Sequence, residues 1–96
     1  MDRQKIRQNL SEKLPVLKAK YHVKQIGIFG SYARYEQTAA SDVDILVDFE
    51  ETPGLLKFIE LKLCLSEFLE SNVDLVMKNG LKPEVGEHIL AEVIYI

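Results

Sequence analysis

With 96 residues, 47% of them apolar, the chain has enough material for one small core and none for a second module, so a single domain spanning 1–96 is expected. No apolar stretch approaches the ~18 residues of a membrane span, and the N-terminus alternates charge with Leu and Ile, unlike a secretory signal. The lone cysteine, Cys64, has no partner for an internal disulfide, which suits a reducing, cytoplasmic setting.

The net charge of −3 is unevenly spread: residues 1–24 carry seven Lys or Arg against two acids, and residues 25–96 carry five against thirteen. The basic segment reads either as a solvated face that offsets an acidic site or as a docking surface for an acidic partner or nucleotide phosphates. Residues 3–20 predict an amphipathic helix, with Ile6, Leu10, Leu14 and Leu17 recurring at four, four and three. Pro15 inside it predicts a kink or break near Leu14. His22 falls in the connection and reads as structural.

A strand is expected over Lys24–Phe29, ending at Gly30 and Ser31. Tyr32, Ala33 and Arg34 then start a short helix, which places the N–H groups around Ser31 where a phosphate is favoured, with Gly30 allowing close approach. Arg34 has two readings, a triphosphate contact or a positive charge at the C-terminal end of the short helix. A polar loop, Tyr35–Ser41, leads to Asp42 and Asp44, whose spacing of two puts both carboxylates on one face of a strand while Val43, Ile45 and Val47 face the core. Hard carboxylate oxygens suit Mg²⁺ or Mn²⁺. Asp48 lies ~13 Å further along that strand, too far to share an ion.

Pro53 and Gly54 mark a turn, and Leu55–Leu69 is a strongly apolar helix whose stripe covers more than half its circumference. Such a helix is either squeezed between the sheet and the first helix or carries spare apolar surface for another protein. Cys64 within it is expected to be a buried small hydrophobe. A second apolar strand, Val73–Met77, carries a single carboxylate, Asp74. After a turn at Lys78–Gly80, Pro83 starts a last helix, with Val85, Ile89 and Leu90 expected on its buried side. Val93–Ile96 closes the chain as a final strand or a docking tail. Asp is depleted in strands, so Asp42, Asp44 and Asp74 in apolar runs, behind Gly30-Ser31, point to a nucleotide-binding metal site.

A Gly-Ser pair, ten residues, Asp-x-Asp and a later strand with one Asp resemble the polymerase-β nucleotidyltransferase superfamily. Gly-Ser-x-Ala-Arg at 30–34, Ser-Asp-x-Asp at 41–44 and the closing Glu92-Val93-Ile94-Tyr95 are similar to its minimal, single-domain branch. Tyr35 departs from the pattern, since the family usually has Gly there, and this leaves the path of the 35–41 loop open. The resemblance implies an α/β (α+β) palm with a mixed sheet packed against helices. It also implies two Mg²⁺ ions (Mn²⁺ the alternative) on Asp42, Asp44 and Asp74, with Gly30 and Ser31 on the phosphates of ATP.

The minimal branch further resembles antitoxins that transfer AMP to a tyrosine of a HEPN-type toxin, so such a partner is expected. A long nucleic acid is not, because relatives that extend tRNA or DNA carry extra domains. A non-catalytic binding module and a small-molecule nucleotidyltransferase are the alternatives. Complete acidic ligands speak against the first, and the lack of a closing domain speaks against the second unless a homo-oligomer supplies one.

Overall fold

The computed structural model describes residues 2–96. Helix α1 (Arg3–Tyr21) leads to strand β1 (Val23–Phe29), which runs directly into a single helical turn, α2 (Gly30–Ala33). Strand β2 (Val43–Phe49), helix α3 (Leu55–Leu69), strand β3 (Val73–Met77), a 3₁₀ turn (Lys78–Gly80), helix α4 (Pro83–Glu92) and the short strand β4 (Ile94–Tyr95) follow. The four strands form one mixed sheet in the order β3-β2-β1-β4: β1 is antiparallel to β2 and β4, and β2 is parallel to β3. This is the mixed sheet packed against helices that the resemblance implies.

Alternation sorts the two faces of the sheet. Ile26, Ile28, Val43, Ile45, Val47, Val73 and Leu75 are buried in the main core with Ile6, Leu10, Leu17 and Tyr21 of α1 and Leu61, Leu65 and Leu69 of α3. Each such side chain contributes roughly 2 kcal/mol of burial. The opposite face is thinner: Phe29 and Leu46 pack with Ile89 of α4, bordered by Val76, Leu81, Val93 and Tyr95. Asp44 shares the parity of Leu46 and Asp74 that of Val76, so both carboxylates belong to this second face.

The expected break at Pro15 does not occur, because α1 continues through it as one helix of 19 residues. Pro15 sits on the exposed side, where water can satisfy the carbonyl left without its donor, and buried Leu10 and Leu17 pin the helix on either side. Asp2 caps its start by accepting the Lys5 N–H at 2.8 Å, and His22, in the left-handed region at φ 58°, ends it. The missing hydrogen bond still has a cost, so Pro15→Ala is expected to stabilise the fold by about 1–2 kcal/mol. Thermal denaturation checks this, and a lower melting temperature would contradict it.

Two further expectations need correction. In α4 the buried residues are Gly86 and Ile89, while Val85 and Leu90 are exposed. The helix approaches its neighbours through the glycine, where an added β-carbon would lie 3.2 Å from Leu81 Cβ. Cys64 is half-buried rather than buried, because α3 turns Leu61, Leu65 and Leu69 to the core and Cys64 lies beside that line. The apolar stripe of α3 is indeed wider than its packing: Leu55, Leu56 and Leu63 are 72%, 83% and 61% exposed. The C-terminal tail forms β4, closing the sheet edge against Gly27 and Ile28. Among the described residues, no helix is long and apolar enough to cross a membrane.

Candidate active site

Two strand pairings set the predicted residues at one end of the sheet. The antiparallel pairing of β1 and β2 sets Phe29 opposite Asp44, so the residue after β1, Gly30, turns directly over the Asp44 side chain. The parallel pairing of β2 and β3 sets Asp44 opposite Asp74. Asp42 stands just ahead of β2, exposed, next to Val43, whose N–H reaches the Asn72 carbonyl at 2.9 Å.

Gly30 adopts φ +73°, a region other residues enter at a cost. A β-carbon there would lie 2.8 Å from Asp44 Cγ and 3.1 Å from its Cβ. Glycine is therefore required twice, by backbone conformation and by space. The turn is completed by Arg34, whose N–H reaches the Gly30 carbonyl at 3.1 Å, and by Glu36, whose N–H reaches the Ser31 carbonyl at 2.9 Å.

Asp44 is the half-buried member of the acidic group. Burial, followed by the neighbouring charges of Asp74 and Asp42, pushes its carboxyl up to about 6, with Arg34 acting in the opposite direction. A half-buried carboxylate facing two further negative charges makes a site that favours a cation. Among the described residues, however, no three His, Cys, Asp or Glu side chains are gathered tightly enough to enclose an ion. The arrangement is an open acidic platform. Its donor set, three carboxylates with no sulfur or imidazole, fits a hard divalent ion such as Mg²⁺.

Arg34, for which the sequence leaves two readings open, stands at the C-terminal end of α2 with its side chain already paired. Its guanidinium is tied to two carboxylates, Glu36 at 3.1 Å and Glu92 at 2.8 Å. Glu92, the last residue of α4, also accepts the Gly30 N–H at 3.1 Å. Sequence reasoning named Glu92 only as part of the closing segment; its place in the site depends on a contact across 62 positions, which no local pattern reveals. Arg3 was missed for the same reason: it donates to the Ala33 carbonyl at 2.9 Å, and its guanidinium lies 3.7 Å from the Tyr35 ring centroid. Tyr35 stands at φ 58°, a region that favours Gly, and the Arg3 stack helps hold it there.

A cleft of about 640 Å³ opens beside the 35–41 loop, lined by Tyr32, Gln37, Ser41, Leu69 and Ser71 among others, and none of the aspartates lines it. Gln37 Oε1 is buried there without a hydrogen-bond partner.

A Gly-Ser turn set over paired strand aspartates has a counterpart among known proteins: the nucleotidyltransferase domain family matches residues 3–96. The chain belongs to that family. Protein adenylyltransferase MntA of Thermococcus cleftensis is 54% identical to it over 80 residues, covering 83% of this chain and 81% of that one. A solved structure described provisionally as a minimal nucleotidyltransferase superposes with a TM-score of 0.83 at 38% identity, covering 98% of this chain and 95% of the other. A toxin–antitoxin crystal structure with AMP-PNP includes a chain that superposes with a TM-score of 0.73 at 26% identity, covering 99% of this chain and 72% of that one. The nucleotidyltransferase identity and the polymerase-β-type fold expected from the sequence are both borne out.

Proposed function

We propose that this nucleotidyltransferase transfers the adenylyl group of ATP to a protein hydroxyl, a tyrosine of a HEPN-type toxin, and acts as that toxin's antitoxin. The observation that carries the reading is the juxtaposition of the Gly30 turn with register-paired Asp44 and Asp74, in a chain whose relative is named a protein adenylyltransferase. The neighbour crystallised as a toxin–antitoxin with AMP-PNP supports a toxin as partner and an adenine nucleotide as substrate. The bare leucines of α3 are an apolar surface that suits a protein acceptor.

In this mechanism the acceptor oxygen forms a bond to the α-phosphorus of ATP, the bond from that phosphorus to the β-phosphate bridge breaks, and pyrophosphate leaves. Asp74 helps take the acceptor proton. Asp42, Asp44 and Asp74 would hold two divalent ions, which when bound supply charge neutralisation and lower the acceptor pKa. Gly30 and Ser31 orient the phosphates through backbone N–H groups.

Co-expression with a HEPN-type partner that arrests growth separates transfer from mere occupancy. The wild-type chain is expected to restore growth, and Asp42→Ala/Asp44→Ala is expected to fail while still binding the partner. Restoration by the double variant would replace transfer with a binding role.

A further inference from the structure

The turn from Gly30 to Arg34 is held from two distant parts of the chain. Arg3 of α1 satisfies the Ala33 carbonyl, one of the acceptors that a short helix leaves open. Glu92 of α4 does something different. Its Oε1 accepts the Gly30 N–H at 3.1 Å and its Oε2 accepts the Arg34 guanidinium at 2.8 Å. These are a turn N–H and an arginine fork, the two kinds of donor that an incoming phosphate seeks.

The Glu92 carboxylate is mostly sheltered, its side chain 25% exposed, and its backbone is fixed. The next residue, Val93, donates to the Ile89 carbonyl at 2.9 Å, and β4 follows at once, paired to Gly27 and Ile28. The carboxylate is thus presented to the turn by the sheet itself.

We infer that Glu92 is a resident anion that competes with nucleotide phosphates for the Gly30 N–H and the Arg34 guanidinium, so that nucleotide binding must displace it. The inference rests on the reading that this turn takes phosphate. It assigns Glu92 a part in setting nucleotide affinity: the site binds more weakly than its donors alone allow, and the bound nucleotide frees the end of α4 from the turn.

The test is calorimetric titration of the full chain with α,β-methylene ATP and Mg²⁺, an analogue that cannot release pyrophosphate. Glu92→Gln keeps the length of the side chain and removes its charge, and is expected to tighten binding about fivefold to tenfold. Glu92→Asp keeps the charge on an arm too short to reach both donors, and is expected to tighten it by less. A buttress would move affinity the other way. Equal or weaker binding by Glu92→Gln, at a melting temperature no lower than wild type, would overturn the inference. Should Glu92→Gln fail to fold, the sign of the change in Glu92→Asp decides. Absence of binding by wild type and variants alike would remove the phosphate reading itself, and the inference with it.

Discussion

Replacing Gly30 by alanine is expected to abolish adenylyl transfer and to lower stability by about 3 kcal/mol. Two costs add. Alanine at φ +73° pays roughly 1–2 kcal/mol for the left-handed region. The new β-carbon would also overlap the Asp44 side chain, 2.8 Å from its Cγ, and such overpacking costs roughly 1–3 kcal/mol. Relief requires either the turn or β2 to move, and both carry the site. For a chain of this size the melting temperature should fall by about 10–20 °C. Gly80→Ala is the control, because an added β-carbon there meets nothing within 4 Å, and a change within about 0.5 kcal/mol is expected. A Gly30→Ala variant with wild-type stability and activity would contradict the described turn.

Asp44→Asn is expected to reduce transfer by about 10³-fold or more and, at the same time, to stabilise the metal-free protein at neutral pH. The Asp44 carboxyl is raised from 3.8 to about 6 in the folded chain. Its contribution to stability is therefore full below about pH 3.8 and is lost as pH rises through about 6, leaving an unfavourable ionised carboxylate above that. A shift of about two units corresponds to almost 3 kcal/mol at most, and partial exposure to solvent reduces this to about 1 kcal/mol. The gain in melting temperature should then be present at pH 8 and absent at pH 4. Added Mg²⁺ should raise the melting temperature of the wild type more than that of the variant. A variant less stable than wild type at pH 8 would show that Asp44 is held by favourable contacts rather than strained by its neighbours.

How far the sequence could be read depended on the range of the interactions involved. Strands β2 and β3 were legible because Val43, Ile45, Val47, Val73 and Leu75 belong to short apolar, β-forming runs interrupted by single carboxylates, and α3 was legible because its leucines recur at helical spacing. Gly30, Ser31 and the three aspartates stood out because glycine and aspartate are uncommon choices inside apolar, β-forming runs. The structure sets Asp44 beside Asp74 by register and Gly30 over Asp44 in close steric contact, two facts that depend on strand pairing and that spacing along the chain does not fix.

Elsewhere local rules were overruled. Pro15 argues for a break only while the helix is considered alone; packing of Ile6, Leu10, Leu17 and Tyr21 on one sheet face outweighs one lost hydrogen bond on the solvent side. On α4, Val85 and Leu90 looked like core because they are large, yet Gly86 makes the contact because it is small. Glu92 and Arg3 were invisible for a different reason. Both are charged residues at the ends of amphipathic helices, where a solvated role is the ordinary one, and only the closing of β4 onto β1 and of α1 onto the sheet brings them to the Gly30–Arg34 turn.

The central claim is that the acidic platform transfers an adenylyl group to a protein, and intact mass spectrometry of the HEPN-type partner tests it most directly. The partner, bound to this chain, is incubated with Mg²⁺ and each of the four nucleoside triphosphates, beside an Asp42→Ala/Asp44→Ala control. The account predicts that the partner gains one or more adenylate units with ATP, located on tyrosine by fragmentation, and gains nothing in the control. An unmodified partner under all four nucleotides, still tightly bound and inhibited by the double variant, would contradict it.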